Sequence, residues 1–178
     1  VNKPSEKPQV KLSLGNMGFP DRSLSIPAEL YGKIHLNMPI LCVDTVVSSD
    51  GKIFLVRRAN EPEKGKWWFP GGRVVRGESL IGASKRITRG EAGISVGKPQ
   101  YLGHDETIFD ADPFGHGQGT HTVNFVYAAH VAELALFNVI LDNNHTAYKT
   151  FKFQEIYESD MHPYVKKFTA AAEGVFCR

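Results

Sequence analysis

The chain has little cysteine, no long apolar run and no block of like charge, and each lack narrows what it can be. Among 178 residues there are two cysteines, Cys42 within an apolar stretch and Cys177 beside the end of the chain. Two thiols so placed make no disulfide framework, so the expected compartment is a reducing one, the cytoplasm. No apolar segment approaches the roughly 18 residues needed to cross a bilayer, and the stretch from Val1 to Lys11 is too polar for a secretory signal. A membrane partner is therefore not expected. Lys and Arg number 21 against 19 Asp and Glu, a net charge of +2, and neither sign forms the kind of run that binds nucleic acid. Nor does the sequence contain internal repeats or low-complexity tracts.

What remains is the length for one domain with a substantial core, preceded by a leader over residues 1 to 36, with the main domain over 37 to 178. Residues 1 to 25 mix Pro, Ser, Lys and Gly without periodicity. Ile26 to Leu36 suits a short helix, with Ser25 as N-cap, Pro27 in the first turn and Pro39 beyond its end. Leu41 to Val47 and Ile53 to Arg57 are β-branched runs around Asp50-Gly51, a hairpin signal because those two residues tolerate positive φ. Trp67-Trp68-Phe69-Pro70 leads into a backbone corner at Gly71-Gly72, and the two tryptophans read as half core and half loop cover, with base stacking as the alternative. From Ser79 to Ala92 the positions Leu80, Ala83, Ser84, Ile87 and Ala92 fall on one helical face. Strands are expected at Tyr101 to Phe109, Thr120 to Val131 and Tyr148 to Phe153, and a single helix from Tyr157 to Glu173. Residues 110 to 119 hold four glycines or prolines and read as a mobile loop able to act as a lid.

One segment carries chemistry. Gly72 is followed after five residues by Glu78, after seven more by Arg86, and then by Glu91, Gly93 and the apolar Ile94. Gly71 and Gly72 let the backbone turn and approach a ligand with no Cβ in the way, freeing a carbonyl as a hard oxygen donor. Glu78 and Arg86 lie near one helical face, which suits a bracing pair, and Glu91 is the carboxylate best placed to hold a metal ion.

This spacing resembles the Nudix box, Gly-x5-Glu-x7-Arg-Glu-U-x-Glu-Glu-x-Gly-U with U apolar. The chain departs from that pattern at Ile87 and Gly90, where the family has carboxylates. In these abbreviations, in Gly71-Gly72-Arg73-Val74 and in Arg86-Ile87-Thr88, it is similar to the GDP-mannose mannosyl hydrolase branch. The resemblance runs from about Leu41 to Phe151 and implies an α/β (α+β) fold, the Nudix α/β/α sandwich with a mixed central sheet.

The resemblance further implies Mg²⁺, one ion, with Mn²⁺ as an alternative, held by Gly71, Glu91 and Asn144. Catalytic and substrate-binding roles fall on Asp44 near the sugar and on Arg58 and Arg73 against a diphosphate. His145 is the implied general base, and His121 and Thr122 stand where the branch contacts its sugar, Thr122 replacing a tyrosine. The implied reaction is hydrolysis of a GDP-sugar, GDP-mannose or GDP-glucose, at the sugar C1–oxygen bond with inversion. Two alternatives stay open: phosphorus attack on ADP-ribose or another nucleotide sugar, and a nucleotide-binding module whose catalytic site has decayed. Members of the branch commonly form homodimers, for which the leader is a natural docking arm.

Overall fold

The β-branched run after Pro39 becomes the middle of a sheet. In the computed structural model, which describes residues 26–132 and 138–176, β1 (Ile40–Ser49) turns at Asp50-Gly51 into β2 (Lys52–Arg58). Both turn residues have positive φ, 48° and 68°, as a two-residue antiparallel hairpin requires. β1 also pairs in parallel with β6 (Thr120–His130), which in turn pairs antiparallel with β5 (Gln100–Phe109). β2 pairs with β3 (Trp67–Trp68) and β7 (His145–Lys152), and β1 with β4 (Gly71–Arg73), all antiparallel. The result is a seven-stranded mixed sheet.

Helices cover both faces. α2 (Leu80–Ala92) lays Ala83 and Ile87 against Val43 and Tyr127 on one side. α3 (Phe153–Glu158) and α4 (Pro163–Phe176) cover the other, where Ile156, Val165 and Phe168 pack on Val46, Leu55 and Val126. This is the expected α/β/α sandwich. α1 (Ala28–Asn37) precedes the sheet. Among the described residues no helix is long and apolar enough to cross a membrane.

Several local expectations change. The C-terminal helix is two helices, because Ser159 accepts no further helical turn: its hydroxyl donates back to Ile156 O and Pro163 restarts the chain as α4. α1 starts two residues later than the pattern suggested, at Ala28 instead of Ile26. Pro27 is its N-cap, and its carbonyl accepts from Tyr31 N. Ser25, the rest of residues 1–25 and Cys177 lie outside the described residues. Residues 110–119 are tied rather than loose, since the Asp112 carboxylate accepts backbone N–H groups of Phe114, His116 and Gly117. β4 was not expected as a strand. Its three residues have no strand propensity and are extended by pairing with β1.

α2 begins at Ser79, whose Oγ accepts from Gly82 N, and ends at Gly93 with φ 70°. Two of its final carbonyls are satisfied from outside: Ile140 N donates to Ala92 O and Asp142 N to Glu91 O, 3.2 Å each. A Cβ on Gly93 would lie 3.2 Å from Ile140 N in a backbone conformation that L residues avoid, whereas Gly90 has open space around it. Gly93→Ala should therefore lower stability by about 1 kcal/mol or more, and Gly90→Ala should raise it by about 0.5–1 kcal/mol. Urea unfolding measures both, and equal shifts of one sign would refute this account of the helix end.

Candidate active site

The site is organised around a backbone too close to its neighbours to carry side chains. Gly71 pairs with Asp44 across β4 and β1, and a Cβ there would fall 1.7 Å from Asp44 Oδ1. Gly71 N donates to Glu91 Oε2 at 3.0 Å, and the open side of Gly72 faces Glu91 Oε1 and Ile87. Asp44 on the α4 side and Glu91 on the α2 side thus approach the same dipeptide from opposite faces of the sheet.

Their charges are costly. Burial pushes the Asp44 carboxyl up to about 6, against a hydrogen bond donated by Tyr164 Oη and the pull of Arg58. Burial drives Glu91 up further, to about 8. The Gly71 N–H opposes that rise, while Asp142 and Asp44 add to it. The Tyr164 hydroxyl is held protonated, first by burial and then by Asp44.

The loop stitched to the end of α2 brings His145 to Glu91. His145 Nδ1 lies 2.7 Å from Asp142 Oδ1, and Nε2 lies 3.8 Å from Glu91 Oε2. The hydrogen bond to a carboxylate places the proton on Nδ1 and leaves Nε2 as the basic nitrogen. Burial lowers the imidazole's pKa, Asp142 partly offsetting it, so the ring is neutral near pH 7. Asp142 was missed in the sequence, where Asp142-Asn143-Asn144 is an ordinary polar loop; its only signal is a carboxylate three positions before the histidine.

On the other side of Gly71 a cleft of about 220 Å³ is lined by Asp44, Arg58, Arg73 and Thr122 together with Trp68 and Phe109. Arg58 Nε donates to Pro62 O at 2.6 Å, and Arg58 pairs with His145 in the β2–β7 register. His121 does not line this cleft. Side chains alternate along β6, so Thr120, Thr122 and Asn124 face the cleft while His121 Nε2 lies 3.6 Å from Glu106 Oε2. Thr122 Oγ1 is 2.6 Å from Thr107 Oγ1, and the Asn124 amide donates to both hydroxyls. Thr107 and Asn124 are lining residues the motif did not point to. Trp68 stacks on Tyr164 at 5.2 Å with 6° between planes, which occupies one of the ring faces available for a base.

Glu78 and Arg86 form a bidentate ion pair, 2.7 and 2.8 Å, and Arg86 Nη2 also donates to Arg73 O at 3.0 Å. They brace β4 against α2 as a pair, although Glu78 precedes the helix instead of lying on it as their spacing suggested.

Among the described residues no three His, Cys, Asp or Glu side chains are grouped so as to hold a metal ion by themselves. Backbone, amide, water and phosphate oxygens would have to complete a shell, which is how Mg²⁺ is commonly bound. The charge fits a cation, since Asp142 and Asp44 add to the cost of ionising Glu91, with Arg58 as the cation set against them. Asn144 is less free to serve. Its Oδ1 accepts from Asn60 at 2.9 Å and its Nδ2 donates to Asp142 at 2.7 Å.

Residues 38–172 match the family model for the NUDIX domain. The chain is 31% identical over 148 residues to a low-salt glycan biosynthesis protein, Agl8, of Haloferax volcanii, covering 83% of this chain and 91% of that protein. It is 37% identical over 78 residues to an ADP-ribose pyrophosphatase of Methanocaldococcus jannaschii, 44% of this chain and 46% of the other. Among solved structures, the MutT protein from Methanosarcina mazei Go1 aligns with TM-score 0.61 and 23% identity over 78% of this chain and 94% of that one. The NUDIX domain of Shewanella oneidensis NrtR, complexed with ADP ribose, aligns with TM-score 0.64 and 19% identity over 85% and 99%.

The pH dependence of stability follows from Glu91. Its folded pKa of about 8 lies above its ordinary 4.5, so the contribution is fully present below pH 4.5 and is lost as pH rises through 8. Asp44, raised from 3.8 to about 6, acts with the same sign at lower pH. Metal-free protein should therefore unfold at lower urea concentration at pH 8 than at pH 5, and Glu91→Gln should remove most of that difference. An unchanged difference in the variant would contradict a buried, poorly compensated Glu91.

Proposed function

This chain belongs to the Nudix family, and on that premise we propose that it hydrolyses a nucleoside-diphosphate sugar of the GDP-mannose or GDP-glucose kind at the sugar C1–oxygen bond. The observation that carries the reading is that α2 presents one box carboxylate, Glu91, to the glycine corner. Ile87, at a family carboxylate position, is packed in the core beside Val43, and Gly90 faces open space. Glu91 is the box carboxylate that meets the Gly71-Gly72 backbone. Attack on phosphorus with several ions loses its usual carboxylates, while one ion on the leaving diphosphate needs only such a reduced set. The likeness to a protein named for glycan biosynthesis supports a sugar substrate.

Each residue then has a task. Glu91, the Gly71 carbonyl and Asn144 or Asp142 are the groups that would hold Mg²⁺. Such an ion supplies charge neutralisation to the leaving diphosphate. Arg58 and Arg73 offer planar forks to phosphate oxygens in the cleft. His145 Nε2, kept basic by the Nδ1–H bond to Asp142, takes a proton from water as its oxygen bonds to C1 and the C1–O bond to diphosphate breaks. A single displacement of this kind inverts the anomeric centre. Asp44 faces the cleft as a carboxylate above pH 6, suited to developing positive charge on the sugar ring. Thr122 and its partners Thr107 and Asn124 supply hydroxyl and amide groups for sugar hydroxyls.

Phosphorus attack is the second reading, favoured by the likeness to an ADP-ribose pyrophosphatase. Turnover in isotopically labelled water separates the two. We expect GDP and free hexose with label in the hexose; a nucleoside monophosphate with label in phosphate would overturn the carbon-centred reading. His145→Ala should lower kcat by roughly 10²–10⁴-fold with smaller change in KM, a loss typical of a positioned general base. Near-normal kcat in that variant would remove His145 from the reaction.

A further inference from the structure

The family match begins at residue 38, yet α1 lies before it and reaches the cleft. Tyr31 and His35 of α1 line the same cavity as Asp44 and Arg58. Tyr31 meets Arg73 through its ring, with the guanidinium carbon 5.1 Å from the centroid, and the same guanidinium charge acts on the Tyr31 hydroxyl. Arg73 sits at the end of β4, where the bracing Arg86 fixes only its backbone carbonyl. Its side chain is steered from α1.

α1 is in turn fastened to residues 110–119. His35 Nδ1 and His116 Nε2 are 2.8 Å apart, and Phe114 packs edge-on against Tyr31 with ring centroids at 5.2 Å. Phe114 lies over Gly32, where a Cβ would already be in contact at 3.5 Å. The Asp112 carboxylate, by gathering the N–H groups of Phe114, His116 and Gly117, fixes the segment that presents both rings to α1. Helix, loop and Arg73 therefore form one connected unit on the cleft wall.

We infer that α1 is a working part of the ligand site: Tyr31 is a positioning residue that holds Arg73 in the cleft for the diphosphate. This rests on the reading of Arg73 as a diphosphate group. The consequence is that nucleotide affinity in this chain depends on a helix outside the matched domain. Replacing Tyr31 loosens a guanidinium that remains present and charged, so binding should suffer while the proton transfer at His145 continues.

The test is a double-mutant cycle read by calorimetric titration of GDP in Mg²⁺ with the 178-residue chain. Tyr31→Leu should weaken GDP binding about tenfold, and Tyr31→Phe, which keeps the ring and loses the hydroxyl, by less. On an Arg73→Ala background Tyr31→Leu should add less than about twofold, because the group it steers is gone. In turnover, Tyr31→Leu should raise KM with kcat within about threefold of the parent. Full additivity of the two losses, or unchanged GDP affinity in Tyr31→Leu while Arg73→Ala weakens it, overturns the inference alone. Unchanged affinity in Arg73→Ala overturns the diphosphate reading of that residue and the inference with it. Tyr31→Phe guards against a folding defect, since it retains the contact with Phe114 while altering the contact with Arg73.

Discussion

The close approach of two carboxylates to one glycine backbone is the constraint from which the rest of the molecule follows. Asp44 and Glu91 come from different elements, reach Gly71-Gly72 from opposite faces and leave no room for a Cβ at the first glycine. Carboxylates in low-dielectric surroundings resist ionisation, and the proximity of Asp142 adds to the resistance. An arrangement so unfavourable in isolation persists because stronger packing elsewhere fixes its parts: β1 is fully buried over most of its length, and Ile87 and Ala83 lock α2 beneath it. Perturbed groups gathered beside a cleft are the usual mark of a functional site.

Rigidity around this point is distributed among polar contacts, each answering a local deficit. The Glu78–Arg86 pair ties the start of α2 to the end of β4 with two charge-assisted bonds and a third to a carbonyl. At the other end of α2, orphan carbonyls recruit the N–H groups of Ile140 and Asp142. That second contact has a chemical outcome. It carries the Asp142 carboxylate to the histidine that follows, and the pair is then held against Glu91 by the same helix that supplies Glu91.

Legibility in the sequence tracked how local each determinant was. Asp50-Gly51 and the apolar face of α2 depend on neighbours within a few positions, and both are readable from the sequence alone. The fold class rested on the box, and the mixed sheet between helices agrees with it. What escaped was set by long-range contact. β4 owes its extension to β1, and the break before Pro163 separates two helices that patterning merged. Assigning both His121 and Thr122 to a sugar site conflicted with strand alternation, which allows one parity to face the cleft. Asp142 and Tyr164 gain significance only through partners, one across a loop and the other 120 positions away from Asp44.

The departures from the box also bear on why α1 matters. With Ile87 in the core and Gly90 outward, the α2 side of the site offers a single box carboxylate, so fewer anionic groups are available to fix a diphosphate through bridging ions. On the proposed reading, more of that work falls to guanidinium groups, which can bind phosphate oxygens directly and keep their charge. A guanidinium on a long side chain is effective only if its rotamers are restrained before the ligand arrives, since ordering it on binding subtracts from affinity. Arg58 is restrained by the Pro62 carbonyl of the loop that follows β2, whereas Arg73 emerges from a three-residue strand and meets the ring of Tyr31. On that reading, an α2 with one box carboxylate and an α1 that steers an arginine are two sides of the same distribution of charge.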